Sequence, residues 1–252
     1  MTVQSGPTIQ YAAVTHKGLV RQQNEDAILV ANAILVGDNA SRSGTVSIQR
    51  RPVFLIADGM GGHARGEVAS SYALECLKAD MDRFDDADWD DRIRRANEEI
   101  FKLMARRPEL TGMGTTVVGI ELGPSSLTVF NVGDSRGYRT GRHGKLIKVT
   151  VDDVPEQFGQ TWRSHQITQA LGGRLTPSRI FSHVSTQEPL GDGETLLLCS
   201  DGLSDMLSDA VIHRVLSKEM DEQAAANALL QAALEAGGDD NISVIVVGLG
   251  SG

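Results

Sequence analysis

Residues 54–70 read FLIADGMGGHARGEVAS. Four apolar residues run straight into Asp58. Glycines and a histidine follow, and then apolar positions reappear at helical spacing. Fully apolar runs of this length mark strands covered on both faces. The carboxylate therefore stands where a buried strand meets a permissive turn, and an ionised group beside a dry core is costly unless something compensates it.

The same junction recurs along the chain. Asp26 follows Glu25 at the entry to an apolar run, Asp134 follows VFNVG, Asp201 follows TLLLCS, and Asp240 precedes NISVIVV. One acid in a turn is ordinary, because Asp favours turns. Five at strand ends are another matter. If those ends converge, the acids repel one another and require cations. Hard carboxylate oxygens suit Mg²⁺ or Mn²⁺. No Cys/His cluster has zinc spacing. Gly59 lacks a Cβ, so its carbonyl can also approach a metal.

Around these junctions the chain alternates short strands with paired helices. Strand-like runs include YAAV (11–14), AILVANAILV (27–36), VFLIA (53–57), TTVVGIEL (115–122), SLTVFNVG (126–133), GYRT (137–140), KLIKVT (145–150), TLLLCS (195–200) and ISVIVVGL (242–249). GPSS (123–126) and GRHG (141–144) are turn signals between neighbouring runs, so antiparallel hairpins are expected there. Apolar spacing predicts helices over 66–81 and 90–105, another after Ser208, and a fourth over 221–236 closed by Gly237-Gly238. This order is not that of a parallel doubly wound sheet. It predicts an α+β fold with packed sheets and helices on the outer faces. Residues 41–51 read as a solvent loop or an extra hairpin, and 152–166 as a loop with a short helix.

Composition narrows the function classes. Of 252 residues, 40% are hydrophobic, enough for one large core. No linker divides 1–252, so a single domain is expected, with its core over about 10–249. The net charge of −9 argues against nucleic-acid and anionic-membrane partners, although solubility alone would also account for it. No apolar run approaches the roughly 20 residues of a membrane span, and no signal peptide is evident. Cys76 and Cys199 read as core thiols in a reducing compartment. A cytoplasmic protein is the default expectation.

Six segments together carry a family resemblance: GLVRQQNEDA (18–27), IADGMGGHARGEVAS (56–70), GMGTTVVG (112–119), NVGDSRGYR (131–139), LCSDGLSDML (198–207) and GGDDNISVIVV (237–247). Each is weak alone, but the ordered set resembles the metal-dependent Ser/Thr protein phosphatases of the type 2C family in their compact bacterial form. The resemblance implies a four-layer α-β-β-α sandwich, two antiparallel sheets flanked by helices. It implies hydrolysis of phosphoserine and phosphothreonine on proteins by a metal-activated bridging water at a two-metal Mn²⁺ or Mg²⁺ centre, with a position for a third ion.

Residue roles follow from the same resemblance. Asp58 bridges both metals, Asp201 and Asp240 hold one, and Glu25 with the Gly59 carbonyl holds the other. Asp26 orients from behind. Asp134, with Asp201, matches the third-metal position. Arg21 matches the phosphate-gripping arginine and His63 the general acid. Asp205 and Asn241 are supporting residues, and Arg136 an acid-pairing one. The other histidines show no ligand spacing and read as surface residues. Implied partners are phosphoproteins, those of an opposing Ser/Thr kinase, acted on by a monomer. Two alternatives stay open: a phosphatase of small phosphoesters, and a weak regulatory module of the same fold. The chain departs from the family at 151–168. Many bacterial relatives open a flap there with Thr, Asp, His and Ser, where this chain has VTVDDVPEQF.

Overall fold

The structure, a computed structural model, describes residues 7–61, 65–83, 88–141, 144–155, 166–218 and 221–250. The strands are β1 (Thr8–His16), β2 (Asp26–Val30), β3 (Ala33–Leu35), β4 (Asn39–Ser47), β5 (Val53–Met60), β6 (Gly114–Thr115), β7 (Val117–Leu122), β8 (Leu127–Val132), β9 (Arg136–Thr140), β10 (Leu146–Lys148), β11 (Leu171–Gly172), β12 (His183–Gln187), β13 (Thr195–Cys199) and β14 (Ile242–Leu249). The helices are α1 (Arg65–Arg83), α2 (Trp89–Arg106), α3 (Asp201–Ser204), α4 (Asp209–Lys218) and α5 (Glu222–Glu235).

One sheet has the order β10-β9-β13-β14-β1-β4; the other runs β11-β6-β5-β7-β8-β12, with β2 and β3 joined to it through β5. Every strand pairing is antiparallel.

Strand alternation explains why the apolar runs are continuous. Successive side chains point to opposite faces, and here both faces are covered. In β5, Phe54 and Ile56 join the layer between the sheets, while Leu55 and Ala57 pack under α1 and α2. In β14, Ile245 and Val247 face inward, while Val244 and Val246 pack against α3, α4 and α5. Three apolar layers thus separate four structural ones, as the resemblance implied.

Helices α2 and α5 begin where side chains satisfy free amides. The Asp88 carboxylate accepts from Asp91 N (2.8 Å) at the start of α2, and Asp221 accepts from Ala224 N (2.7 Å) at the start of α5. Both cysteines are free thiols. Among the described residues no helix is long and apolar enough to cross a membrane.

Two segments depart from the sequence reading. The run 27–36 is a hairpin rather than one strand. Ala31 and Asn32 both take positive φ (46° and 65°), the geometry of a tight two-residue turn, so β2 folds back onto β3. The stretch 41–51 is neither loop nor separate hairpin: most of it forms the edge strand β4, paired with β1 from Asn39 to Ser47.

Candidate metal centre

The acids meet at one end of the sandwich. Asp26 opens β2 and lies opposite Asp58 of β5 in antiparallel register. Asp134 sits in the turn from β8 to β9, and Asp201 opens α3 just beyond β13. Asp240 directly precedes Asn241 and β14. One sheet supplies Asp26 and Asp58, the strands flanking Asp201 and Asp240 belong to the other, and Asp134 sits where the chain crosses from β8 of the first to β9 of the second. A cleft of about 660 Å³ opens there, lined by Glu25, Asp58, Gly59, Asp134, Asp201, Asp205, Asp240, Asn241 and Arg21. Asp26 is fully buried behind it. His63 lies outside the described residues.

Backbone bonds fix the strand ends. Asp58 O accepts from Thr116 N (2.9 Å) and Thr115 Oγ1 (2.9 Å), and Asp58 N donates to Thr116 Oγ1 (3.2 Å). Glu25 O accepts from Gly59 N (3.2 Å) and Ser70 Oγ (2.6 Å), which ties β2, β5 and α1 together. Gly59 is glycine for a steric reason: a Cβ there would stand 2.2 Å from Gly66 O and 2.5 Å from Glu25 O. Asn241 stitches the loop before β2 to the turn before β14. Its Oδ1 accepts from Glu25 N (2.8 Å), and its Nδ2 donates to Lys17 O (2.9 Å) and Gln23 O (3.0 Å).

Crowding raises the proton affinity of these acids. Burial, followed by the charges of Asp26, Asp201, Asp134 and Asp240, holds the Asp58 carboxyl well above its usual range. Burial, with Asp134 and Asp240, pushes Asp201 up to about 8. Asp134 rises to about 6, and Glu25 also rises, both mainly through burial. Asp26 rises through burial, although Ser243 and Ser200 oppose the shift by hydrogen bonding. Arg21 is the only basic side chain among the described residues lining the cleft. Its Nη2 donates to Asp240 Oδ2, so here the guanidinium sits on an acid at the rim.

These residues fit a hard divalent cation. Asp26 Oδ2 accepts from Ser200 Oγ (2.9 Å), but the buried Oδ1 has no hydrogen-bond partner among the described residues. An orphaned buried carboxylate oxygen beside several like charges is a position that a cation satisfies. The donors are carboxylates and backbone carbonyls, the set preferred by Mg²⁺ and Mn²⁺. Among the described residues no three His, Cys, Asp or Glu side chains already stand as a closed ligand set.

Sequence reasoning missed the polar residues that brace the acids. Thr116 Oγ1 also bonds Ser135 Oγ (2.8 Å). Ser200 Oγ accepts from Ser243 N (2.9 Å), and Asn24 Nδ2 donates to Thr15 Oγ1 (2.7 Å). The available signal was a buried-strand context interrupted by hydroxyls, as in GMGTTVVG and LCSDG. Arg136 pairs with Asp152, as expected of an acid-pairing arginine (2.8 Å).

Comparisons with known proteins bear on the family and the fold. The family profile described as Protein phosphatase 2C matches residues 38–236. The Serine/threonine protein phosphatase PstP of Mycobacterium tuberculosis is 35% identical over 263 residues, covering 94% of this chain. The chain spans only 44% of that relative's length. The Serine/threonine phosphatase stp of Listeria innocua is 29% identical, covering 92% of this chain and 93% of its own. Among solved structures, the catalytic domain of PstP in complex with 2 manganese ions superposes with a TM-score of 0.77 at 33% identity, covering 97% of this chain and all of that one. The Mycobacterium smegmatis Ser-Thr phosphatase MsPP in complex with cacodylate gives 0.72 at 30%, covering 95% and 98%.

Proposed function

The chain belongs to the protein phosphatase 2C family, and from that premise we propose that it hydrolyses phosphoserine and phosphothreonine esters of proteins with two bound Mn²⁺ or Mg²⁺ ions. The observation that carries this reading is the convergence of Asp58, Asp134, Asp201 and Asp240 on one cleft, with Asp26 buried behind Asp58. When bound, the ions supply charge neutralisation and a nucleophile usable near neutral pH.

The chain's own residues do the rest. Asp58, fixed at its N–H and C=O by residues 115 and 116, would offer its carboxylate to the ions. Asp201 and Asp240 would hold one ion, and Glu25 with the Gly59 carbonyl the other. Asp26 would orient the arrangement from behind, and Asp134 with Asp201 would offer the weaker third position. Asp205 and Asn241 support from the side. Arg21, about half exposed at the rim, can leave Asp240 to grip two phosphate oxygens, because a planar guanidinium binds such a group in bidentate fashion. His63 is assigned protonation of the departing Ser or Thr alkoxide oxygen by resemblance alone. Residues 1–252 act as one phosphatase domain, a cytoplasmic monomer opposing a Ser/Thr kinase.

The decisive experiment strips metals from the chain. It then measures Mn²⁺ binding by calorimetry, with turnover of p-nitrophenyl phosphate and a phosphothreonine peptide. Binding of two ions and metal-restored turnover of both substrates are expected. Turnover that ignores chelator rejects the metal centre, and turnover of the small ester alone favours a small-phosphoester phosphatase.

A further inference from the structure

Asp153 lies outside the cleft, yet it ties together three segments, two of which run into the cleft wall. The residue is only 7% exposed. Oδ2 accepts from Gly133 N (2.9 Å), Oδ1 accepts from Gln169 Nε2 (2.9 Å), and His183 Nε2 stands 2.9 Å from the same Oδ1. The main chain repeats the pattern: Asp153 N donates to Gly133 O (3.0 Å), and Thr168 N donates to Asp153 O (2.8 Å). Gln169 then passes the link on, because its Oε1 accepts from Phe181 N (2.9 Å). His183, read from sequence as a surface residue without ligand spacing, is half-exposed and forms the β12 arm of this knot.

Two of the held segments reach the cleft. Gly133 precedes Asp134, and Thr168 and Gln169 follow Ile167; both Asp134 and Ile167 line the cleft. Gly133 has φ of 100°, and a Cβ there would stand 2.6 Å from Thr116 Cγ2, so this turn tolerates little adjustment. A buried carboxylate is costly to keep unless several donors satisfy it. Here the donors come from the β8–β9 turn, the segment after residue 165, and an edge strand. A polypeptide substrate must lie along the cleft wall, whereas a small aryl phosphate needs only the acids at its base.

Resting on the phosphatase reading, we propose that Asp153 is a positioning residue for polypeptide substrates: it sets the Ile167 wall relative to the Asp134 turn and so favours phosphoproteins over small phosphoesters. Asp153→Asn nearly keeps the shape, but its amide NH₂ must confront either Gly133 N–H or the Gln169 Nε2 donor, whose Oε1 is held by Phe181 N.

The test compares kcat/KM for a phosphothreonine peptide and for p-nitrophenyl phosphate in the unmodified chain, Asp153→Asn and Gln169→Ala. Hydrogen exchange over residues 130–136 and 166–170 is measured alongside. The peptide-to-ester ratio should fall at least fivefold in Asp153→Asn and in the same direction in Gln169→Ala, with faster exchange in both segments and cooperative melting retained. A ratio within twofold of the unmodified chain overturns the proposal, even with faster exchange, because the knot would then be structural only. Should both variants unfold, His183→Ala, which removes only the β12 arm, decides by the same ratio. If the unmodified chain turns over neither substrate, the phosphatase reading fails. Exchange in Asp153→Asn then decides whether the knot holds the wall, unchanged protection overturning it.

Discussion

Asp26 and Asp58 stand directly opposite each other in the antiparallel ladder between β2 and β5. Side chains at such a pair share one face of a sheet, and like charges there repel. Asp26 is fully buried and Asp58 half-buried at the cleft, so the repulsion is stronger than at an open surface. The fold therefore holds a destabilising pair in place at the position where a divalent cation would be most useful, as expected of a site built for function at some expense of stability.

Asp58→Asn tests this directly. The amide is nearly isosteric and removes one buried charge. Metal-dependent turnover should fall at least about a thousandfold, a loss of about 4 kcal/mol of transition-state stabilisation. Calorimetric Mn²⁺ affinity should weaken strongly, and the metal-free melting temperature should hold or rise. Near-normal turnover would show that Asp58 bridges nothing.

Gly59→Ala probes the packing that delivers the site. The new methyl would collide with two backbone oxygens, neither able to swing aside as a side chain tip can. Overpacking of this kind costs about 3 kcal/mol or prevents folding. Gly193→Ala is the contrast. That position has φ of 72° but open space around it, so only backbone strain of about 1 kcal/mol is expected. Denaturant melts giving equal losses at the two positions would contradict the steric account.

Away from the cleft, α1 and α2 are joined by Asp80, which accepts from Arg95 Nε (2.5 Å) and Arg92 Nη1 (2.9 Å). The Arg95 hydrogen bond, helped by the charges of both arginines, holds the Asp80 carboxyl below its usual range despite burial. A depressed folded-state pKa gives stability that is present above the unfolded value of about 3.9 and is lost as pH falls through the folded value. Asp80→Asn should therefore cost about 3 kcal/mol at pH 7, because Arg92 stays buried without its carboxylate. The difference from the unmodified chain should shrink below about pH 4. A pH-independent difference in urea melts would assign the loss to packing instead.

Legibility in the sequence tracked burial. The spans of α1, α2 and β14 were readable because one face or both faces of each are apolar, and the pattern survives in a single sequence. The strand-end acids were readable because a carboxylate beside VFLIA or TLLLC breaks a strong local rule. The turn at Ala31-Asn32 was not, because positive φ there lacks the glycine that usually signals it. Strand β4 was hidden because its side chains are largely solvent-facing and its order comes from backbone pairing with β1. The Asp153–His183 contact joins residues thirty apart whose spacing carries no local signal.

Asn241 offers the last prediction, since it connects Arg21 to the acids without belonging to either. Its amide group donates to two carbonyls of the loop that carries Arg21, Lys17 O and Gln23 O, while its oxygen caps Glu25 N. Asn241→Asp keeps the oxygen but turns the donor into a second acceptor facing those carbonyls. Two bonds to a half-buried loop are lost and replaced by repulsion, worth about 1–3 kcal/mol. The loop should shift, and the arginine with it. KM for p-nitrophenyl phosphate should then rise about tenfold with kcat reduced less, if the loop supplies ground-state gripping of the phosphate as proposed. Arg21→Ala should give the same pattern, and the double variant should be no worse than the poorer single one, since both changes act on one contact. Additive losses in that cycle would mean that Asn241 acts through the Asp240 turn rather than through Arg21.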